Sequence, residues 1–71
     1  MNKQTYISSS GFRVTDHKGH IKCELDDGQM VTFLSAKILS VHNDECVVQQ
    51  GDKILGCINA GGVLDVYEWT E

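Results

Sequence analysis

The chain has 71 residues, 41% of them apolar and 7% aromatic, and carries ten acidic against six basic residues for a net charge of −4. One domain near the lower limit for a self-sufficient core is all that such a length allows, so burial shared in a homodimer or higher homo-oligomer is expected. Lys3, Arg13, Lys18, Lys22, Lys37 and Lys53 stand singly, without the basic patch of a nucleic-acid binder, and no apolar run is long enough for a signal peptide or a membrane span.

Residues 1–11 are polar, end in Ser8-Ser9-Ser10-Gly11, and are expected to form a flexible lead into one β domain over residues 12–71. From Phe12 onward, short strand-like runs alternate with turn dipeptides at Lys18-Gly19, Asp26-Asp27-Gly28, Asn43-Asp44, Gly51-Asp52 and Asn59-Ala60-Gly61-Gly62. Turn signals at this spacing indicate a small antiparallel sandwich or barrel. His20 to Leu25 alternates most cleanly, with Ile21, Cys23 and Leu25 directed to a core and His20, Lys22 and Glu24 to water. Gln29 to Leu34 pairs back, placing Val31 and Phe33 inside.

Residues 35–42 read as a strand, with a single short helix near 35–40 as the alternative because Ser35 could cap it. Lys37 to Val41 is echoed sixteen residues later by Lys53 to Cys57, and Asn43 by Asn59, as two similar strands of one meander would be. Gly56, inside a strand, is expected to mark a bulge or bend. The chain contains no proline, which suits unbroken ladders. The expected architecture is therefore all-β, five or six antiparallel strands curling into an open barrel in the style of SH3-like or oligonucleotide-binding domains.

Three cysteines cannot close a complete disulfide framework, and free thiols point to a reducing, cytoplasmic setting. His17, His20 and Cys23, with His42 and Cys46, are zinc-ligand types. Alternation nevertheless sends His20 and Cys23 to opposite faces, so no metal and no cofactor is expected. Cys46 and Cys57 lie in apolar runs where thiols are unreactive, and the glycines are turn formers without the helix a phosphate loop needs. No catalytic role is assigned to any residue.

The last strand carries apolar side chains on both faces: Val63, Asp65, Tyr67 and Trp69 on one, Leu64, Val66 and Glu68 on the other. Met30 and Leu34 show the same two-sidedness opposite Val31 and Phe33. Surplus apolar surface with aromatic anchors suits partner contact. Val63, Asp65, Tyr67, Trp69, Met30 and Leu34 are therefore the expected partner-binding residues of a standalone protein-binding module, a bacterial or phage regulator or inhibitor that covers a protein surface. One alternative is a barrel for single-stranded nucleic acid, with Tyr6, Phe12, Phe33 and Trp69 stacking bases and Arg13, Lys22 and Lys37 on phosphates, which the net charge disfavours. A second alternative is a small-molecule-binding barrel using polar groups such as His42, Asn59 and Asp65.

Overall fold

The computed structural model describes residues 4–69. Eight strands run in chain order: β1 (Gln4–Ile7), β2 (Arg13–His17), β3 (His20–Glu24), β4 (Met30–Phe33), β5 (Ala36–His42), β6 (Glu45–Gln50), β7 (Lys53–Ala60) and β8 (Val63–Glu68). They form two antiparallel meanders, sheet A in the order β1-β2-β3-β4 and sheet B in the order β5-β6-β7-β8. The all-β expectation holds. In place of five or six strands in one curled sheet there are eight in two sheets, neither closed into a barrel, and no helix among the described residues.

The division follows from the link Leu34-Ser35. Ser35 adopts a left-handed φ of 52°, which turns the chain out of sheet A after only two residues. The backbone N–H of Ala36 then donates to Gly19 O at 2.7 Å, and β5 starts a new ladder. Residues 36–42 are thus extended, and the helix considered for 35–40 does not form, because Ile38 and Val41 each face the first sheet from β5 and pair with Val48 and Cys46. Leu39 sits between the pairs Ile38–Val48 and Ser40–Val47, where the register shifts, so it is the bulged residue. Gly56, expected at a bulge, instead lies in unbroken register with Val47 on one side and Tyr67 on the other.

Two-residue turns set the registers of β2–β3, β5–β6, β6–β7 and β7–β8, whereas five residues join β1 to β2 and β3 to β4. Lys18 and Gly19 (φ 58° and 83°) and Gly61 and Gly62 (φ 62° and 95°) both place two successive residues at positive φ, the arrangement whose twist matches flanking strands. Residues 4–7, expected within a flexible lead, form the edge strand β1 of sheet A. Tyr6 is the reason: it packs against the core and its hydroxyl donates to Asn43 O at 3.0 Å. Met1 to Lys3, with Thr70 and Glu71, lie outside the described residues.

The sheets face each other across a thin core, within overall dimensions of 33 × 30 × 18 Å. Sheet A supplies Val14, Ile21, Cys23 and Phe33, sheet B supplies Ala36, Cys46, Val48 and Cys57, and Phe12 and Leu25, next to the Arg13–Glu24 pair, close one end. The inward direction of Ile21, Cys23, Leu25, Val31 and Phe33 agrees with alternation. Cys23 meets Cys46 and Cys57 across the middle, and all three are fully buried free thiols. Cysteine is small and polarizable, so three can fill a gap between closely spaced sheets where three branched side chains would be too large. Contact with the two other thiols, reinforced by burial, holds Cys23 protonated far above the ordinary range.

Polar ties join the sheets at their rims. Gln50 Nε2 donates to Leu34 O at 2.7 Å, and the Ser10 hydroxyl donates to Asp44 at 2.8 Å. Gln29 Nε2 donates to Gly62 O at 2.7 Å while its Oε1 accepts from Leu64 N–H at 2.9 Å. No described buried side-chain nitrogen or oxygen is left without a partner.

Candidate interaction surface

Cross-strand register sorts the side chains of sheet B. Val41, Cys46, Cys57 and Val66 form one row and point to sheet A. The neighbouring rows, Ser40–Val47–Gly56–Tyr67 and His42–Glu45–Ile58–Asp65, point the opposite way by strand alternation. Ile54 joins this outer face from the next row, and Trp69 N–H donates to Ile54 O at 2.8 Å, extending β7 pairing past the end of β8. The outer face therefore has an apolar centre of Val47, Ile54, Ile58, Tyr67 and Trp69, with His42, Glu45 and Asp65 in one flanking row and Lys37 at the far corner.

Tyr67 is the best-fixed member. Its ring lies across Gly56: a Cβ placed there would come within 2.5 Å of the hydroxyl oxygen and 2.6 Å of Cε1. The hydroxyl donates to Glu45 Oε2, two strands away. Glycine is required at 56 by what covers it, since its φ is an ordinary one. The Trp69 ring stands 5.9 Å from that of Tyr67, tilted by 50°, within the range of a favourable aromatic pair. Tyr67 is half-buried, whereas Trp69 is 51% and Val63 57% exposed.

The six residues expected to bind a partner therefore separate. Val63, Asp65, Tyr67 and Trp69 share the outer face of sheet B. Met30 lies elsewhere, in the row Ile7–Arg13–Glu24–Met30 on the outer face of sheet A, and Leu34 is in the link between sheets. Sequence reasoning missed Val47, Ile54, Ile58 and the Tyr67–Gly56–Glu45 arrangement. The signal was present in the adjacent apolar pairs Val47-Val48, Ile54-Leu55 and Cys57-Ile58, which must send one member of each pair outward.

Residues of the alternative readings are also dispersed. Phe12 and Phe33 are buried in the core, so neither can stack a base. Arg13 is engaged by Asp26 at 2.5 Å and Glu24 at 3.5 Å, and the Asp26 contact foremost raises the guanidinium above its ordinary value. His42 and Asp65 occupy opposite edge strands of sheet B, roughly 14 Å apart at the usual strand spacing, while Asn59 donates to Ser10 and Asp44. A cleft of about 400 Å³ at the β1–β5 side is lined by Tyr6, Val14, Ile38, Val41, Asp16 and Lys37, residues that the small-ligand reading did not name. Of the zinc-ligand types, His17 and His20 flank the first turn on the outside of sheet A, His42 is outside sheet B, and Cys23 and Cys46 are in the core. Among the described residues no group of three or more His, Cys, Asp or Glu is placed to hold a metal ion. No described helix is long and apolar enough to cross a membrane. Comparison with protein-family models, curated proteins and solved structures finds no match to this chain.

Proposed function

We propose that the chain is a small non-catalytic protein-binding module that acts by covering a partner's surface, as a regulator or inhibitor does, in a cytoplasmic setting. The contact surface is the outer face of sheet B around Tyr67 and Trp69. One observation carries the reading: Tyr67 is held over Gly56 and paired with the exposed Trp69 on a solvent-facing, largely apolar sheet face. Tyr67 is immobilised by the close approach to Gly56 and by Glu45, so little side-chain freedom remains to be lost on binding. Trp69 beside it offers large apolar area with a polar tip, the combination enriched at binding hot spots. Asp65 and Glu45 at the rim favour a partner with basic groups around an apolar pocket.

The test is paired affinity capture from the native host, using wild-type bait and a Tyr67→Ala/Trp69→Ala bait, followed by calorimetry on any protein held by the first and lost by the second. Retention of the same protein by both baits at equal affinity removes this surface from the reading. A parallel titration with single-stranded DNA and RNA at low salt covers the nucleic-acid alternative, for which micromolar binding with steep salt dependence is the favourable outcome.

A further inference from the structure

β8 is an edge strand of sheet B, and its hydrogen-bonding pattern leaves a defined part of that edge open. The two-residue turn at Gly61-Gly62 and the bond from Trp69 N–H to Ile54 O show that residues 63, 65, 67 and 69 direct their backbone groups toward β7. Leu64, Val66 and Glu68 direct theirs outward. Gln29 Oε1 occupies the Leu64 N–H, so the open groups are the Leu64 carbonyl and both groups of Val66 and Glu68. Edge strands of this kind are usually blunted by lysine, proline or a bulge. β8 has no lysine, proline or bulge, its charged residues are Asp65 and Glu68, and the exposed large apolar side chains on or just after it are Val63, Val66 and Trp69.

Those three residues are symmetric about Val66. We propose that a second copy of this chain pairs on the free edge of β8, antiparallel and across a two-fold axis at Val66, joining the two B sheets into one continuous sheet. The second copy takes the edge that borders the face assigned above and shares Trp69 with it, so the inference rests in part on that reading. In this register Val66 meets Val66 of the second copy, Leu64 and Glu68 form a hydrogen-bonded pair once the Gln29 side chain of each copy swings off Leu64 N–H and Gly62 O, and Val63 lies opposite Trp69. Val63–Trp69 is a non-hydrogen-bonded pair, the type with the closer side chains. All three exposed apolar side chains are thus covered by one operation, and Asp65 faces Tyr67 rather than another acid. The competing two-fold registers are worse. Centring on Asp65 or Glu68 opposes like charges, centring on Leu64 sets Val63 against Asp65 and leaves Trp69 uncovered, and centring on Tyr67 sets Val66 against Glu68 and leaves Val63 uncovered.

The experiment is sedimentation equilibrium of the full chain from about 5 to 500 µM, with Trp69 fluorescence read on the same samples. The expected result is a rise from 7.9 kDa toward twice that mass, with a blue shift of Trp69 emission at the higher concentrations and stronger association as salt screens the −4 charge on each copy. Val66→Pro deletes an N–H that makes no bond within its own sheet and should weaken association at least tenfold. Because proline could also disturb β8, amide exchange on the wild type gives an independent reading: Val66 and Glu68 N–H should gain protection with concentration. A single 7.9 kDa species at every concentration, or association undiminished in Val66→Pro with no added protection at Val66, overturns the proposal. In either case capture that depends on Tyr67 and Trp69 would still stand, which separates failure of the dimer from failure of the binding face.

Discussion

Gly56→Ala tests the central claim about the outer face, because ordinary strand preferences predict the opposite sign. Alanine is favoured over glycine inside a strand by roughly 0.5–1 kcal/mol on backbone entropy alone. Here the added Cβ would fall 2.5 Å from the Tyr67 hydroxyl oxygen and 2.6 Å from Cε1, well inside contact distance, so the ring must swing away. Aromatic side chains bury about 150–250 Å², and losing roughly a quarter of that costs about 1.2 kcal/mol at ~25 cal/mol per Å². The bond to Glu45 goes with it, at about 1 kcal/mol for a half-exposed pair. Set against the backbone gain, the net effect is destabilisation of about 1–2 kcal/mol, or a melting temperature lower by roughly 5–15 °C for a domain this small. Thermal unfolding by circular dichroism measures it. The decisive control is the double-mutant cycle: with Tyr67→Ala in place, Gly56→Ala should become neutral or stabilising. A Gly56→Ala protein that melts higher than wild type with Tyr67 intact refutes the account of why glycine stands there.

The thiol core makes a prediction about reactivity: none of the three cysteines should react with a disulfide reagent in the native protein, and all three should react in denaturant. Fast native labelling of even one equivalent would show that the sheets part more readily than their packing implies. Phe12→Ala, which empties a fully buried site, should cost about 3–5 kcal/mol, a large share of the roughly 4–11 kcal/mol expected for 71 residues, and urea denaturation should show the midpoint lowered accordingly. Acid should weaken the fold through two rim carboxylates. The Ser8 and Ser10 hydroxyls and the Asn59 amide hold Asp44 below its ordinary 3.8, and the side chain and backbone of Gln29 do the same for Asp27. Since both are depressed in the folded state, their stabilisation is complete above about pH 4 and is lost as pH falls through their native values. Melting temperature followed from pH 6 to pH 2 should decline below pH 4, and Asp44→Asn should flatten part of that decline.

Much of the β architecture was legible in the chain because alternation and turn chemistry are local. The strand from His20 to Glu24 and the turns at Lys18-Gly19 and Gly61-Gly62 each need only their own residues to be recognised. Even the sixteen-residue echo has a structural counterpart: Ser40 and Gly56 both pair with Val47, and Val41 and Cys57 both pair with Cys46. Illegible were the features set by distant partners. Nothing near Gln4 to Ile7 announces a strand, because what holds it is Tyr6 reaching the Asn43 carbonyl across the sandwich. Gly56 resembles a bulge residue until Tyr67, eleven positions away in sequence, is seen to lie over it. The division into two sheets turns on Ser35, one residue in a left-handed conformation that serine seldom adopts, in a stretch that otherwise reads as continuous β. The site was half visible for the same reason: β8 displays its own two-sidedness, but only cross-strand register shows that Met30 and Leu34 belong elsewhere.

The Leu34-Ser35 link is the one covalent connection between two ladders that are otherwise each complete in their own half of the sequence. A backbone cut there would sever no strand pairing, so two synthetic peptides, one ending at Leu34 and one starting at Ser35, contain all the information for their own hairpins. Each alone would present a bare wall of thiol and branched side chains to water. Mixing them should restore the fold at a cost set by concentration rather than by geometry, which makes this small protein a natural candidate for a split reporter.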